Sequence, residues 1–140
     1  MQQENEMRLE VNFRRIEGTS AAVGWAGTKT VIADRRVGSA GGSGLGLSGG
    51  ELQALALGAD FCNQLYFSAD KLALRITAIS VDVALELDGE PLLVTGATLR
   101  VHVEVESGAA DAARLLEHAT AESTISNSVA RGFPVGVESA

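Results

Sequence analysis

Apolar and polar positions alternate along the chain in a way that separates a strand-rich beginning, an apolar helix, a long hairpin and a helical end. Leu9, Val11 and Phe13 alternate with Glu10, Asn12 and Arg14, the two-residue period of a half-buried strand. Ala21, Val23 and Trp25 repeat that period, and residues 30–33 give a third short apolar run. Glu17-Gly18 and Ala26-Gly27-Thr28-Lys29 punctuate them, so the pattern predicts a three-stranded meander. The clearest alternation comes later, with Ile79, Val81, Val83, Leu85 and Leu87 set against Ser80, Asp82, Ala84, Glu86 and Asp88. Leu99, Val101, Val103 and Val105 then alternate with Arg100, His102, Glu104 and Glu106, and Asp88-Gly89 supplies a hairpin turn signal, glycine tolerating the positive φ that such turns need. Two long antiparallel strands with one apolar face require a covering layer.

The segment between meander and hairpin provides that layer. Ser48 followed three residues later by Glu51 is a capping box, which predicts a helix start near Gly49; the polar run Ser68-Ala69-Asp70-Lys71 predicts its end between Asp70 and Leu72. Leu52, Leu55, Ala56, Ala59, Cys62 and Tyr66 form one apolar stripe, while Ala54, Leu57, Phe61 and Leu65 fill the flanks. A helix apolar nearly all round is expected to be buried on most of its surface, so this one is read as the centre of the fold. Residues 110–122 have helical composition with Leu115, Leu116 and Ala119 on one stripe. A second short helix follows to Arg131-Gly132, and residues 133–137 read as a last edge strand, where proline is tolerated.

From Asp34 to Gly50 the pattern lapses into a loop with seven glycines, longer than a compact domain keeps without a use for it. Gly44-x-Gly46-x-x-Gly49 has the form of a dinucleotide fingerprint but lacks the strand immediately before it; a nucleotide site there would give a thermal shift with NAD or FAD.

Composition narrows the function classes. At 140 residues and 46% apolar the chain fits one ordered domain spanning residues 1–140, with a disordered start at residues 1–7. No apolar run is long enough for a membrane span, and the polar start is no signal peptide, so a cytoplasmic location is expected. A net charge of −7 argues against nucleic acid. The one cysteine, Cys62, cannot form an internal disulfide, and its thiol is either a small buried hydrophobe or a reactive group. His102 falls on a polar strand face, and His118 lies on a helix whose end it can cap. They make no recognisable metal site, and neither metal nor cofactor is expected.

Two segments carry a resemblance to a known family. Residues 48–66 look like the OsmC/Ohr segment written with Glu-Leu, an Ala/Leu-rich turn and a cysteine eight residues after the leucine. Residues 122–129, Glu-Ser-Thr-Ile-Ser-Asn-Ser-Val, resemble its Cys-Pro-Val-Ser-Asn-Thr-Leu segment. The order of elements agrees over residues 9–137. The resemblance implies an α+β OsmC-like fold, antiparallel sheets wrapped around a long central apolar helix, in an intertwined homodimer with sites at the interface. It also implies reduction of organic hydroperoxides by a cysteine thiolate, activated by an arginine and a glutamate and resolved by a second cysteine. Here Asp60 occupies the nucleophile position and Ser123 the resolving position, with Thr124 in place of proline.

Cys62 lies about 200° around the helix from Asp60, so it points nearly away from the family site unless a bulge near Gly58 intervenes. Asp60 either meets Arg35, Arg36 or another arginine in an interface pair, or acts as a general acid or base with Glu51 as partner. Two functions follow. One is thiol-dependent hydroperoxide reduction in oxidative-stress defence through Cys62, with Asp60 and Glu51 as further catalytic candidates and an external thiol as reductant. The alternative is a catalytically inactive module binding a small apolar ligand.

Overall fold

The computed structural model describes residues 7–140, so the expectation of disorder at residues 1–6 lies outside the described residues. The chain forms two compact units divided between Leu52 and Gln53.

In the first unit β1 (Asn12–Arg15), β2 (Ala22–Ala26) and β3 (Lys29–Ala33) form an antiparallel meander in that order. The register pairs Phe13 with Gly24, and a side chain at Gly24 would sit 2.6 Å from the Phe13 ring; the glycine lets the ring lie flat on the sheet. Alternation suggested a strand from Leu9, yet β1 starts at Asn12, and Leu9 and Val11 are exposed with no strand to hold them. The glycine-rich segment that follows β3 folds back on it: Leu47 N–H donates to Ile32 O (2.8 Å) and Asp34 N–H to Leu47 O (3.1 Å), closing a parallel bridge between Ala33 and Leu47.

Helix α1 (Gly49–Leu72) crosses the division and leads into β4 (Ile76–Asp88), β5 (Leu93–Val105), α2 (Ala109–Glu122) and α3 (Thr124–Arg131). The capping box closes as expected, Ser48 N–H donating to Glu51 Oε1 (3.0 Å) and Glu51 N–H to Ser48 Oγ (3.2 Å). β4 and β5 pair antiparallel, with Val81 opposite Val101 and Val83 opposite Leu99. Both strands run further than their alternation did. Between the Glu86–Gly96 and Leu87–Val94 pairs the register slips by one, which leaves Thr95 as an extra residue and scrambles the two-residue period at the hairpin's far end.

The apolar face of this hairpin is covered by α1 and α2. Phe61, Leu65 and Ala69 of α1 join Val105 of β5 and Leu115 and Ala119 of α2 in one buried cluster, flanked by Ile79, Val81, Leu99, Val101 and Val103. The α1 residues that bury are therefore the flank series Leu57, Phe61, Leu65, Ser68 and Ala69. The stripe read as the main apolar face stays largely outside: Leu55 and Tyr66 are 55% and 56% exposed. One hairpin can cover only one side of a helix, so an all-round apolar sequence leaves the other side open in a single chain. The edge strand expected at residues 133–137 does not form; the segment is irregular, and Phe133, Val135 and Val137 are exposed. Its N–H and C=O groups find no strand in this chain to pair with. Among the described residues no helix is long and apolar enough to cross a membrane.

Candidate functional site

Asp60 lies on the α1 face turned toward the start of α3. Ser123, the residue before that helix, makes no side-chain cap to its own helix, and so the first-turn N–H groups of α3 need an outside acceptor. Asp60 Oδ2 supplies it, accepting from Ile125 N–H (3.0 Å) and from Ser123 Oγ–H (2.8 Å). A carboxylate at a helix N-terminus is also favoured by the helix dipole. Ser123 is fully buried, so its hydroxyl needs this acceptor. The two positions that resemble the family's cysteines are thus in direct contact, as a carboxylate and a hydroxyl. The arginine partner considered for Asp60 is replaced within the chain by these uncharged donors, while Arg35 pairs with Asp34 at 3.3 Å.

The other two catalytic candidates do not join Asp60. Helix α1 is regular through Gly58, with no bulge, so Cys62 keeps its angular distance of about 200° from Asp60 and is partly buried. Glu51 stands nine residues before Asp60, about 13 Å along the helix and half a turn round. Its carboxylate serves the capping box. Ser48 N–H, then the Ser48 hydroxyl, and the nearby Arg36 charge hold it below the usual carboxylate range, against the opposing effect of desolvation.

Sequence reasoning missed two polar clusters. Asp34, 6% exposed, organises the glycine-rich loop: Oδ2 accepts from Ser43 N–H (3.1 Å) and Leu45 N–H (3.0 Å), and Oδ1 from Arg35 N–H (2.7 Å). Gly46 passes so close to β3 that a side chain there would meet Ile32 O at 2.1 Å. The fingerprint-like glycine is consumed by the loop's own packing. An acidic residue leading into many glycines was the available signal. The second cluster joins α1 to α2. His118 does not cap its helix, whose last turn is closed by Ser123 N–H on Ala119 O (2.9 Å); its Nδ1 lies 2.7 Å from the Oγ of fully buried Ser68, which also accepts from Gln64 Nε2 (3.0 Å). With Gln64 donating, Ser68 can give its own proton to Nδ1, which fits a neutral imidazole protonated at Nε2. A serine closed off from solvent in this way ties two helices together and is out of reach of a substrate. His102, by contrast, lies on the exposed strand face as expected, 3.4 Å from Glu104.

Between the hairpin and the helices lie two cavities. One, of about 350 Å³, is lined by Leu57, Leu85, Leu99 and Val129 among others, with Gln53 and Thr95 at its polar positions. The other, of about 340 Å³, is lined by Phe61, Leu99, Val101, Leu116, Thr120 and Ser126. Ser126 lines both, and its Oγ is buried with no hydrogen-bond partner.

The sequence profile of the family described as OsmC-like protein matches residues 41–138. The chain belongs to this OsmC family. Solved structures agree in fold. An OsmC-like protein from Mycoplasma pneumoniae superimposes with a TM-score of 0.75 at 11% identity, over 89% of each chain. An OsmC-like protein of unknown function from Vibrio cholerae gives 0.69 at 15%, over 89% of this chain and 93% of its own. An organic hydroperoxide resistance protein OsmC from Legionella pneumophila gives 0.66 at 16%, over 88% and 89%. No curated protein matches the chain. The α+β OsmC fold expected from the two segments is therefore the fold of this protein.

Proposed function

We propose that this OsmC-family protein has lost the two-cysteine reduction of hydroperoxides and serves as a non-catalytic module that binds a small apolar ligand, as a homodimer. The observation that carries this reading is the hydrogen bond between Asp60 and Ser123. Peroxide reduction of the family type passes through a sulfenic acid and then a disulfide, and neither a carboxylate nor a serine hydroxyl can form one. The contact shows that the two positions still converge. What changed is their chemistry, from a redox pair to a cap on α3. Cavities lined mainly by Leu57, Leu99, Phe61 and Val101 fall in the size range of ligand pockets, about 300–1,000 Å³.

Thiol-dependent reduction through Cys62, with an external thiol resolving the sulfenic acid, would need the thiol where the reacting groups converge. Cys62 faces elsewhere on α1. Reduced protein mixed with cumene hydroperoxide at modest excess and dithiothreitol should therefore consume no peroxide, and its intact mass should show Cys62 unoxidised. Peroxide consumption that disappears in the Cys62→Ser variant would overturn the proposal and restore the thiol mechanism.

A further inference from the structure

We propose that the two cavities meeting at Ser126 are one site for an elongated, uncharged molecule whose single polar group, a ketone, ester or secondary hydroxyl, lies mid-chain and bonds to Ser126. The proposal rests on the ligand-binding reading above and names the site and ligand class for it.

Three observations converge. Leu57 and Phe61 are one turn apart on the buried face of α1, and each lines one cavity; Leu99, which lines both, and Val101, in the second, follow each other on the inward face of β5. The two spaces therefore follow one another along the same helix and the same strand, which suits a long ligand over a round one. Ser126 Oγ, buried without a partner at the residue the two cavities share, is the second observation. A buried hydroxyl left unpaired is costly, and here a ligand group at the junction can pair with it, with apolar chain extending to either side. Third, no charged side chain lines either cavity. The nearest carboxylate in the chain, Asp60 beside Phe61, is committed to Ser123 and Ile125 and would repel an anion. A fatty acid is thus the wrong ligand, although its chain would fit.

The probes are 6-undecanone, with a mid-chain carbonyl, and undecanoate, of the same carbon count and charged at one end, each competing with the neutral dye Nile red. The ketone should displace the dye from the wild-type protein at pH 7, and undecanoate should compete at least about tenfold more weakly. Ser126→Ala should weaken the ketone by about three- to tenfold, the value of one hydrogen bond between neutral groups. Ala97→Phe and Thr120→Phe place a ring in the first and second cavity respectively. Both replace exposed residues, so the fold is retained, which circular dichroism verifies, and each should block the ketone. If the ketone displaces the dye equally from wild type, Ser126→Ala and both plugged variants, or if undecanoate binds as well as the ketone, this site assignment is wrong while the binding reading stands. If no apolar probe binds and peroxide is consumed through Cys62, the binding reading falls with it.

Discussion

At the scale of single residues, one carboxylate, Asp34, organises the glycine-rich loop. Its carboxyl titrates below its ordinary value of 3.8. The Leu45 N–H contributes most, burial works against it, and the Arg35 and Ser43 N–H groups and the Arg35 charge add to the lowering. The sign follows from proton linkage: a group with a depressed folded value binds its proton more readily when unfolded, so it stabilises the fold above the unfolded value and loses that contribution as pH falls. Hydrogen exchange at the Ser43 and Leu45 amides should accordingly show steady local protection from pH 7 to about pH 5 and a loss beginning near pH 4. Asp34→Asn should abolish that acid-dependent loss. A wild-type profile that stays flat through pH 3 would show that the carboxylate does not hold the loop. None of this was readable from spacing, because the acceptors and donors are up to eleven residues apart and are joined only by the fold-back of Leu47 onto Ile32.

Elements were read with more success, and the exceptions have physical causes. The capping box at Ser48 and Glu51 located the start of α1, and Arg131-Gly132 the end of α3, because caps are local chemistry; Gly132 takes φ 76° and donates to Ser128 O and Val129 O. The extra residue at Thr95 concealed the first half of β5, since alternation cannot survive a one-residue slip. Residues 133–137 have the composition of a strand and form none, because a strand needs an edge to join. In the site, the convergence of Asp60 and Ser123 followed from the family resemblance, whereas the partners of Asp60, His118 and Ser126 depend on how α1, α2 and α3 meet and left no local trace. The glycines offer a paired test. Gly46→Ala drives a methyl group into Ile32 O and should cost about 1–3 kcal/mol, as overpacking does. Gly49→Ala, with nothing within 4 Å of the added carbon, should gain about 0.4–1 kcal/mol by restricting the unfolded chain. Urea unfolding followed by circular dichroism reads both, and equal effects at the two positions would refute the close-approach account.

The whole molecule presents more apolar surface than one chain covers. Leu55, Tyr66 and Phe67 of α1 are all more than half exposed, and such contiguous surface marks an association face. For the proposed homodimer, sedimentation velocity should give twice the chain mass, and Leu55→Glu should shift the protein to monomer while leaving the hairpin cluster intact. A wild-type monomer at micromolar concentration would sink the dimer. The cap that Asp60 places on α3 also bears on what this chain can become. Restoring a thiol at residue 60 would remove the acceptor of Ile125 N–H and cost about 0.5–2 kcal/mol, as losing a helix cap does, while a lone thiol there would still lack a resolving partner at residue 123. The return path to redox chemistry therefore begins with a loss of stability that brings no two-cysteine cycle with it. For a protein with the usual narrow stability margin, exchanging the nucleophile for a structural carboxylate acts as an evolutionary ratchet.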